Sequence, residues 1–106
     1  MEIGLSVKIN GGTYGIVHRS VMSDVRLTLE SKAIYALLTT ECDEFNQVVI
    51  SNKELSELLE VGEERMVRHR NPLVEHGYIT ISRNRDKGTF GSNVYTVTHE
   101  PKKESE

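Results

Sequence analysis

Residues 51–97 constrain the fold most, because two helical repeats and then a strand repeat follow one another there, each with its own punctuation. In SNKELSELLEV, Ser51 and Glu54 stand three residues apart, the spacing at which each side chain satisfies the other's unpaired backbone N–H at a helix start. This predicts a helix over 51–59 with Leu55, Leu58 and Leu59 on its inner face. Val61-Gly62 reads as a turn, with Gly62 free enough in its backbone angles to cap the next helix. EERMVRHRNPLVEHG predicts a helix over 63–76, burying Met66, Val67, Leu73 and Val74 and stopped by Gly77 in the left-handed conformation. The repeat then drops to two, so YITISRNRDKGTFGSNVYTV reads as a hairpin over 78–97, turned at Gly88. Tyr78, Ile79, Ile81, Val94, Tyr95 and Val97 are expected on its inner face.

Two residues disturb the helix over 63–76. Pro72 lacks an N–H and crowds the preceding turn, at about 3 kcal/mol in a helix interior, so a kink or a restart at Asn71-Pro72 is expected. Arg70 falls on the apolar stripe, where it must run its stem outward to water or meet an acidic partner.

Upstream, LSVKINGGTYGIVHR predicts a hairpin over 3–18, turned at Asn10-Gly11-Gly12, and one helical turn is expected at 19–22. A helix over 29–40 follows, capped by Thr28, with Leu29, Ala33, Ile34, Ala36, Leu37 and Leu38 forming its buried stripe. QVVIS is a short strand. The fold class is therefore α+β, three main helices with hairpins at both ends, and 106 residues suffice for one domain, placed at 1–98 with a disordered tail at 99–106. No apolar run approaches the roughly 18 residues of a membrane span, and the N-terminus lacks the pattern of a secretory leader. The single cysteine, Cys42, reads as a small core residue near a helix end, and its lack of an internal partner suits a reducing cytoplasm.

The net charge of −3 argues against a nucleic-acid partner only until its distribution is read. Residues 65–87 carry Arg65, Arg68, Arg70, Arg83, Arg85 and Lys87 against Glu75 and Asp86, a net +4. Residues 41–64 carry eight acidic side chains against Lys53, a net −7. A phosphate backbone responds to the local field, so a basic edge on an acidic body is compatible with binding DNA.

Taken together, YGIVHRSVM, DVRLTLESKAIYALL, ISNKELSELLEVGEERMV, HGYI and GTFGSNVYTV resemble the winged-helix domain at the N-terminus of plasmid and phage replication initiators, over roughly residues 14–97. The chain is similar, too, to small stand-alone proteins of that kind that bind the transfer origin of conjugative plasmids. The resemblance implies a winged helix-turn-helix, with the helix over 63–76 entering a DNA groove and the hairpin wing gripping the neighbouring backbone or minor groove. Arg70 and Pro72 depart from the family's pattern, and no catalytic or helicase-loading region follows the wing in this sequence.

Candidate DNA contacts follow from position. Arg65, Arg68 and His69 fall with Pro72 on one helical face opposite the stripe, where a guanidinium can bond guanine O6 and N7 or neutralise phosphate. In the wing, Arg83, Arg85 and Lys87 alternate along one edge, and Thr89, Ser92 and Asn93 offer neutral donors. An arginine there suits a narrow A·T-rich minor groove, which makes the wing the expected main contact. Ser51, Asn52 and Lys53 open a helix whose N-terminus suits phosphate. The structural alternatives are a solvated helix face and a charged edge that blocks strand-to-strand aggregation.

An enzyme is not expected. His18, His69, His76 and His99 are scattered without cysteines at metal spacing, and INGGTYG lacks the Gly-Lys-Ser/Thr ending of a phosphate loop, so neither a metal nor a cofactor is expected. The leading expectation is sequence-specific binding of double-stranded DNA at an origin of transfer or replication on a mobile element. The partners would be a second copy of the chain, which doubles the half-sites read, and a relaxase or replication protein. A small transcriptional repressor of the same fold is one alternative. A protein-interaction module presenting its acidic region to a basic partner is another.

Overall fold

The computed structural model describes residues 4–83 and 91–98. In chain order the elements are β1 (Ser6–Ile9), β2 (Gly12–Gly15), α1 (Arg19–Met22), α2 (Leu29–Glu41), β3 (Gln47–Ser51), α3 (Asn52–Leu59), α4 (Glu63–Glu75), β4 (Ile79–Arg83) and β5 (Ser92–Val97). β1 and β2 pair as an antiparallel hairpin, and β3, β5 and β4 form an antiparallel sheet in that order. Both Asn10 and Gly11 have positive φ, as the two-residue turn of a twisted hairpin requires, so Gly12 already belongs to β2. β2 lies hard against α2: a Cβ on Gly15 would stand 2.1 Å from Thr39 Oγ1 and 2.8 Å from the Thr40 nitrogen.

The helix starts follow their caps. Thr28 Oγ1 accepts from Ser31 N at 3.0 Å at the head of α2. At α3, Ser51 Oγ accepts from Glu54 N and Glu54 Oε1 accepts from Ser51 N, each at 3.1 Å, the reciprocal box expected of that spacing. Gly62 caps α4 in ordinary extended backbone (φ −71°, ψ 158°), so the special freedom of glycine goes unused. α4 ends in a Schellman motif, with Gly77 N donating to Val74 O at 3.2 Å and Tyr78 N to Leu73 O at 2.9 Å, and Gly77 in the left-handed region (φ 81°). α3 ends the same way, from Glu60 N to Glu57 O and Val61 N to Ser56 O, but its left-handed residue is Glu60 (φ 59°).

Three expectations are corrected. α4 runs unbroken through Asn71 and Pro72, so no restart occurs. The missing proline N–H leaves only the Arg68 carbonyl without its helical donor, while Leu73 beside it is fully buried. The buried face of α2 is Ser31, Ile34, Tyr35, Leu38 and Thr39, and Leu29 is 81% exposed. In the same way Ser56 replaces Leu58 on the inner face of α3, and Val74 on α4 is 40% exposed. The common cause is small polar side chains that satisfy themselves on nearby carbonyls, Ser31 Oγ on His69 O at 2.6 Å, Thr39 on Ala36 and Ser56 on Lys53. They allow closer approach of elements than a leucine would.

The core lies between α2, α3, α4 and the inner face of the sheet, with Ile34, Leu38, Leu55, Met66, Leu73, Ile79 and Tyr95 at its centre. Tyr35 and Tyr78 meet edge to face at 6.1 Å. Their hydroxyls bond different partners, Tyr35 to Thr98 O at 2.8 Å and Tyr78 to Asp24 Oδ2 at 2.7 Å. Asp24 also takes the Arg26 guanidinium at 2.7 Å, which holds the Asp24 carboxyl well below the usual carboxylate range. Cys42 is a buried core residue at the end of α2, as expected, and burial pushes its thiol up to about 11. No described helix is long and apolar enough to cross a membrane.

Candidate nucleic-acid interface

The register of the sheet gathers the start of α3 and the base of the wing. Ser51 lies opposite Ser92, and Asn93 stands between Ile50 on β3 and Arg83 on β4. The first residues of α3, Asn52 and Lys53, follow β3 directly. Ser51, Asn52, Lys53, Arg83, Ser92 and Asn93, chosen from three separate stretches of sequence, therefore meet at one end of the sheet. Lys53 and Arg83 are exposed there.

Arg70 joins this group from α4. It neither runs out to water nor meets an acid, the two outcomes its sequence position suggested. Its Nη1 donates to Asn52 Oδ1 and to Tyr95 OH, each at 2.9 Å, and its guanidinium carbon stands 5.9 Å from the centroid of the Tyr95 ring. Asn93 Nδ2 donates to the same Asn52 oxygen at 3.1 Å. Arg70 Nε is buried with no partner, and no carboxylate of the described residues pairs with this guanidinium. The arrangement holds a full positive charge, half-buried and uncompensated, behind the start of α3. Chemically it can offer donors and a positive potential to an anion, and it ties α4, α3 and β5 together at that point. Sequence reasoning did not place Arg70 among the candidate contacts. The available signal was a guanidinium where the stripe of α4 called for a leucine.

The single exposed face expected of Arg65, Arg68 and His69 is divided in the structure. Arg65 bonds Glu30 Oε2 through Nε at 3.0 Å and Nη2 at 2.6 Å, and this guanidinium draws the Glu30 carboxyl below its ordinary value. The Arg65 side chain nonetheless stays 54% exposed. His69 turns the same way, with Nδ1 3.0 Å from Thr28 Oγ1 and Nε2 3.5 Å from Glu30 Oε2, leaving its side chain 17% exposed. Both lean on the N-terminus of α2 because Glu30 and Thr28 supply a carboxylate and a hydroxyl within reach. Arg68 is exposed and has no polar partner among the described residues. Glu63 and Glu64 occupy the first turn of α4 and are exposed. Arg85, Lys87 and Thr89 lie outside the described residues, as do Gly88 and the tail at 99–106.

No group of three His, Cys, Asp or Glu side chains among the described residues is placed to hold a metal ion. No family model matches the chain, and no curated protein matches it. Among solved structures it is similar to a "possible transcriptional regulator" from Methanosarcina mazei Go1. The likeness has a TM-score of 0.57 at 15% identity and spans 91% of this chain and 76% of that one. At that identity the likeness is one of fold. The chain is an α+β protein with the winged helix-turn-helix fold, α3 and α4 forming the helix-turn-helix and β4 and β5 the strands of the wing.

Proposed function

We propose that this protein binds double-stranded DNA sequence-specifically through α4, the start of α3 and the wing. The observation that carries the reading is the convergence of Ser51, Asn52, Lys53, Arg83, Ser92 and Asn93 at one end of the sheet, backed by the unneutralised guanidinium of Arg70. The free N–H groups at the head of α3 and the cation of Lys53 suit a phosphate, which would fix the protein's register on the duplex. Arg68 is the side chain of α4 best placed for a base edge, whereas Arg65 must first leave Glu30 and His69 must leave Thr28. Arg83 stands at the root of the wing, and Arg85 and Lys87 follow it in sequence as further cations for backbone or minor groove. Thr89 adds a neutral donor in the same stretch.

Within that reading, the protein marks an origin of transfer or replication on a mobile element, as a homodimer that recruits a relaxase or replication protein. The resemblance to replication-initiator winged helices supports it. A second reading, a small transcriptional repressor, is favoured by what the structurally similar protein is called. Selection of bound duplexes from a randomised pool at physiological salt tests the shared claim. One enriched motif is expected, whereas a pool that emerges unenriched would overturn sequence-specific binding. Mapping the motif separates the two readings, since an origin site favours the accessory role and a promoter site the repressor. On that motif, Arg83→Ala, Arg85→Ala and Lys87→Ala should each weaken binding and make the salt dependence shallower by about one unit per lost phosphate contact.

A further inference from the structure

β3 is an edge strand of the described sheet, paired with β5 on one side only. The hydrogen-bond pattern identifies which of its backbone groups are open. Val97 N donates to Asn46 O at 2.9 Å, which makes Gln47–Thr96, Val49–Val94 and Ser51–Ser92 the non-bonded pairs of the ladder. The N–H and C=O groups of Gln47, Val49 and Ser51 therefore point away from β5. Gln47 is closed off by Asp43, whose Oδ1 accepts its N–H at 3.0 Å and whose own N–H reaches its carbonyl at 3.0 Å. The Ser51 N–H is taken by Glu54 Oε1 at 3.1 Å. Val49 is left with both groups unbonded among the described residues.

The Val49 side chain is more than half exposed, and so is Leu58 on α3. Both line a groove of about 640 Å³ bordered by Glu41, Asp43, Glu54 and Glu57. Among the described residues, none of these four carboxylates forms an ion pair, and no lysine or arginine lines the groove. An open strand edge beside apolar side chains suits an extended segment added by backbone pairing. Closure at Gln47 and Ser51 limits that pairing to a single bridge at Val49, so side chains must supply most of the affinity. Charge selects the occupant. A second copy would bring four more carboxylates against these, and a nucleic acid would bring phosphates.

We propose that this groove docks a basic, extended segment of a partner protein. The segment bonds both backbone groups of Val49, sets an apolar side chain against Val49 and Leu58, and places Lys or Arg against the four carboxylates. The groove shares no lining residue with the proposed DNA contacts, although Ile50 and Glu54 flank Ser51, Asn52 and Lys53 in sequence, and the proposal does not depend on DNA binding.

The test uses the full chain and a fluorescein-labelled nonapeptide of lysines and arginines around a central Val-Ile-Val, read by anisotropy at low salt. Saturable binding is expected. It should weaken about fivefold or more in a Glu41→Gln/Glu57→Gln variant. Methylating the amide nitrogen of the peptide's central Ile, which removes one bridge bond, should weaken it about threefold to tenfold without altering the protein. Lack of binding overturns the proposal. Binding that ignores N-methylation also overturns it, since charge attraction alone is then at work, and so does binding that ignores the two neutralised carboxylates. Sedimentation velocity covers the remaining occupant: a dimer that Val49→Pro converts to monomer would assign the edge to a second copy and overturn the basic partner.

Discussion

Arg70 holds a position on the buried stripe of α4 that a leucine would fill, and its partners are an amide and a phenol. A half-buried cation without an anion adds little stability, so Arg70→Leu should change the unfolding free energy by less than about 1 kcal/mol in chemical denaturation. The same variant should bind DNA several-fold more weakly at low salt, because it removes a charge from behind the α3 start. Loss of the fold with DNA affinity retained by the remaining folded protein would make Arg70 a structural clamp only. Asp24 gives a different kind of prediction. Its folded carboxyl ionises below the unfolded value of about 3.9, chiefly through the Arg26 hydrogen bond, so the unfolded chain binds more protons in acid. The stability it contributes is complete above about pH 5 and is lost as pH falls through about 4 and below. Thermal melts between pH 2.5 and 6 should show a flatter acid limb for Asp24→Asn, with about 1 kcal/mol less stability at neutral pH. Neither network was legible in the sequence. Arg70 reaches partners 18 and 25 positions away, and Asp24 meets Tyr78 across 54, separations at which no local pattern couples residues; the Asp24–Arg26 pair is local, but nothing in its two-residue spacing says that Tyr78 buries it.

At the scale of elements, the ends of helices were legible and their rotational setting was not. Thr28, the Ser51–Glu54 box and Gly77 act through neighbours within a few positions, so their spacing carries their geometry. Helical periodicity points Leu29, Leu58 and Val74 inward, but it carries no information on where Ser31, Thr39 and Ser56 allow close approach and turn other faces to the core. The two Schellman ends make opposite predictions. Gly77 has a left-handed backbone that a side chain resists, so Gly77→Ala should destabilise by about 1 kcal/mol. Glu60 already carries that strain, and its acidic side chain sits at the unfavourable end of the α3 dipole, so Glu60→Gly should stabilise by about 1 kcal/mol. Denaturant midpoints with unchanged slopes would check both. At Gly15 the obstacle is space, because the backbone and side chain of Thr39 and Thr40 fill the room a Cβ needs. Gly15→Ala should cost about 1–3 kcal/mol by forcing the hairpin off α2.

For the whole molecule, charge separation matters more than the total of −3. Residues 41–64 repel one another in the folded state, so raising NaCl from about 10 to 200 mM should raise the melting temperature by a few degrees through screening. DNA affinity should fall over the same range as phosphate contacts are screened. The two trends, measured on one preparation, separate self-repulsion from binding. The segregation itself was legible in the sequence, whereas the meeting of β3, β4 and β5 residues at one end of the sheet required the register. That register has a bearing on synthesis. The middle strand is β5, the last of the three to be made, and β3 and β4 pair with it and not with each other. Until residues 92–97 have left the ribosome, both earlier strands wait without a partner in this sheet, so it closes late. A nascent chain stalled before Ser92 would expose two strand edges at once, where a holding chaperone would find it.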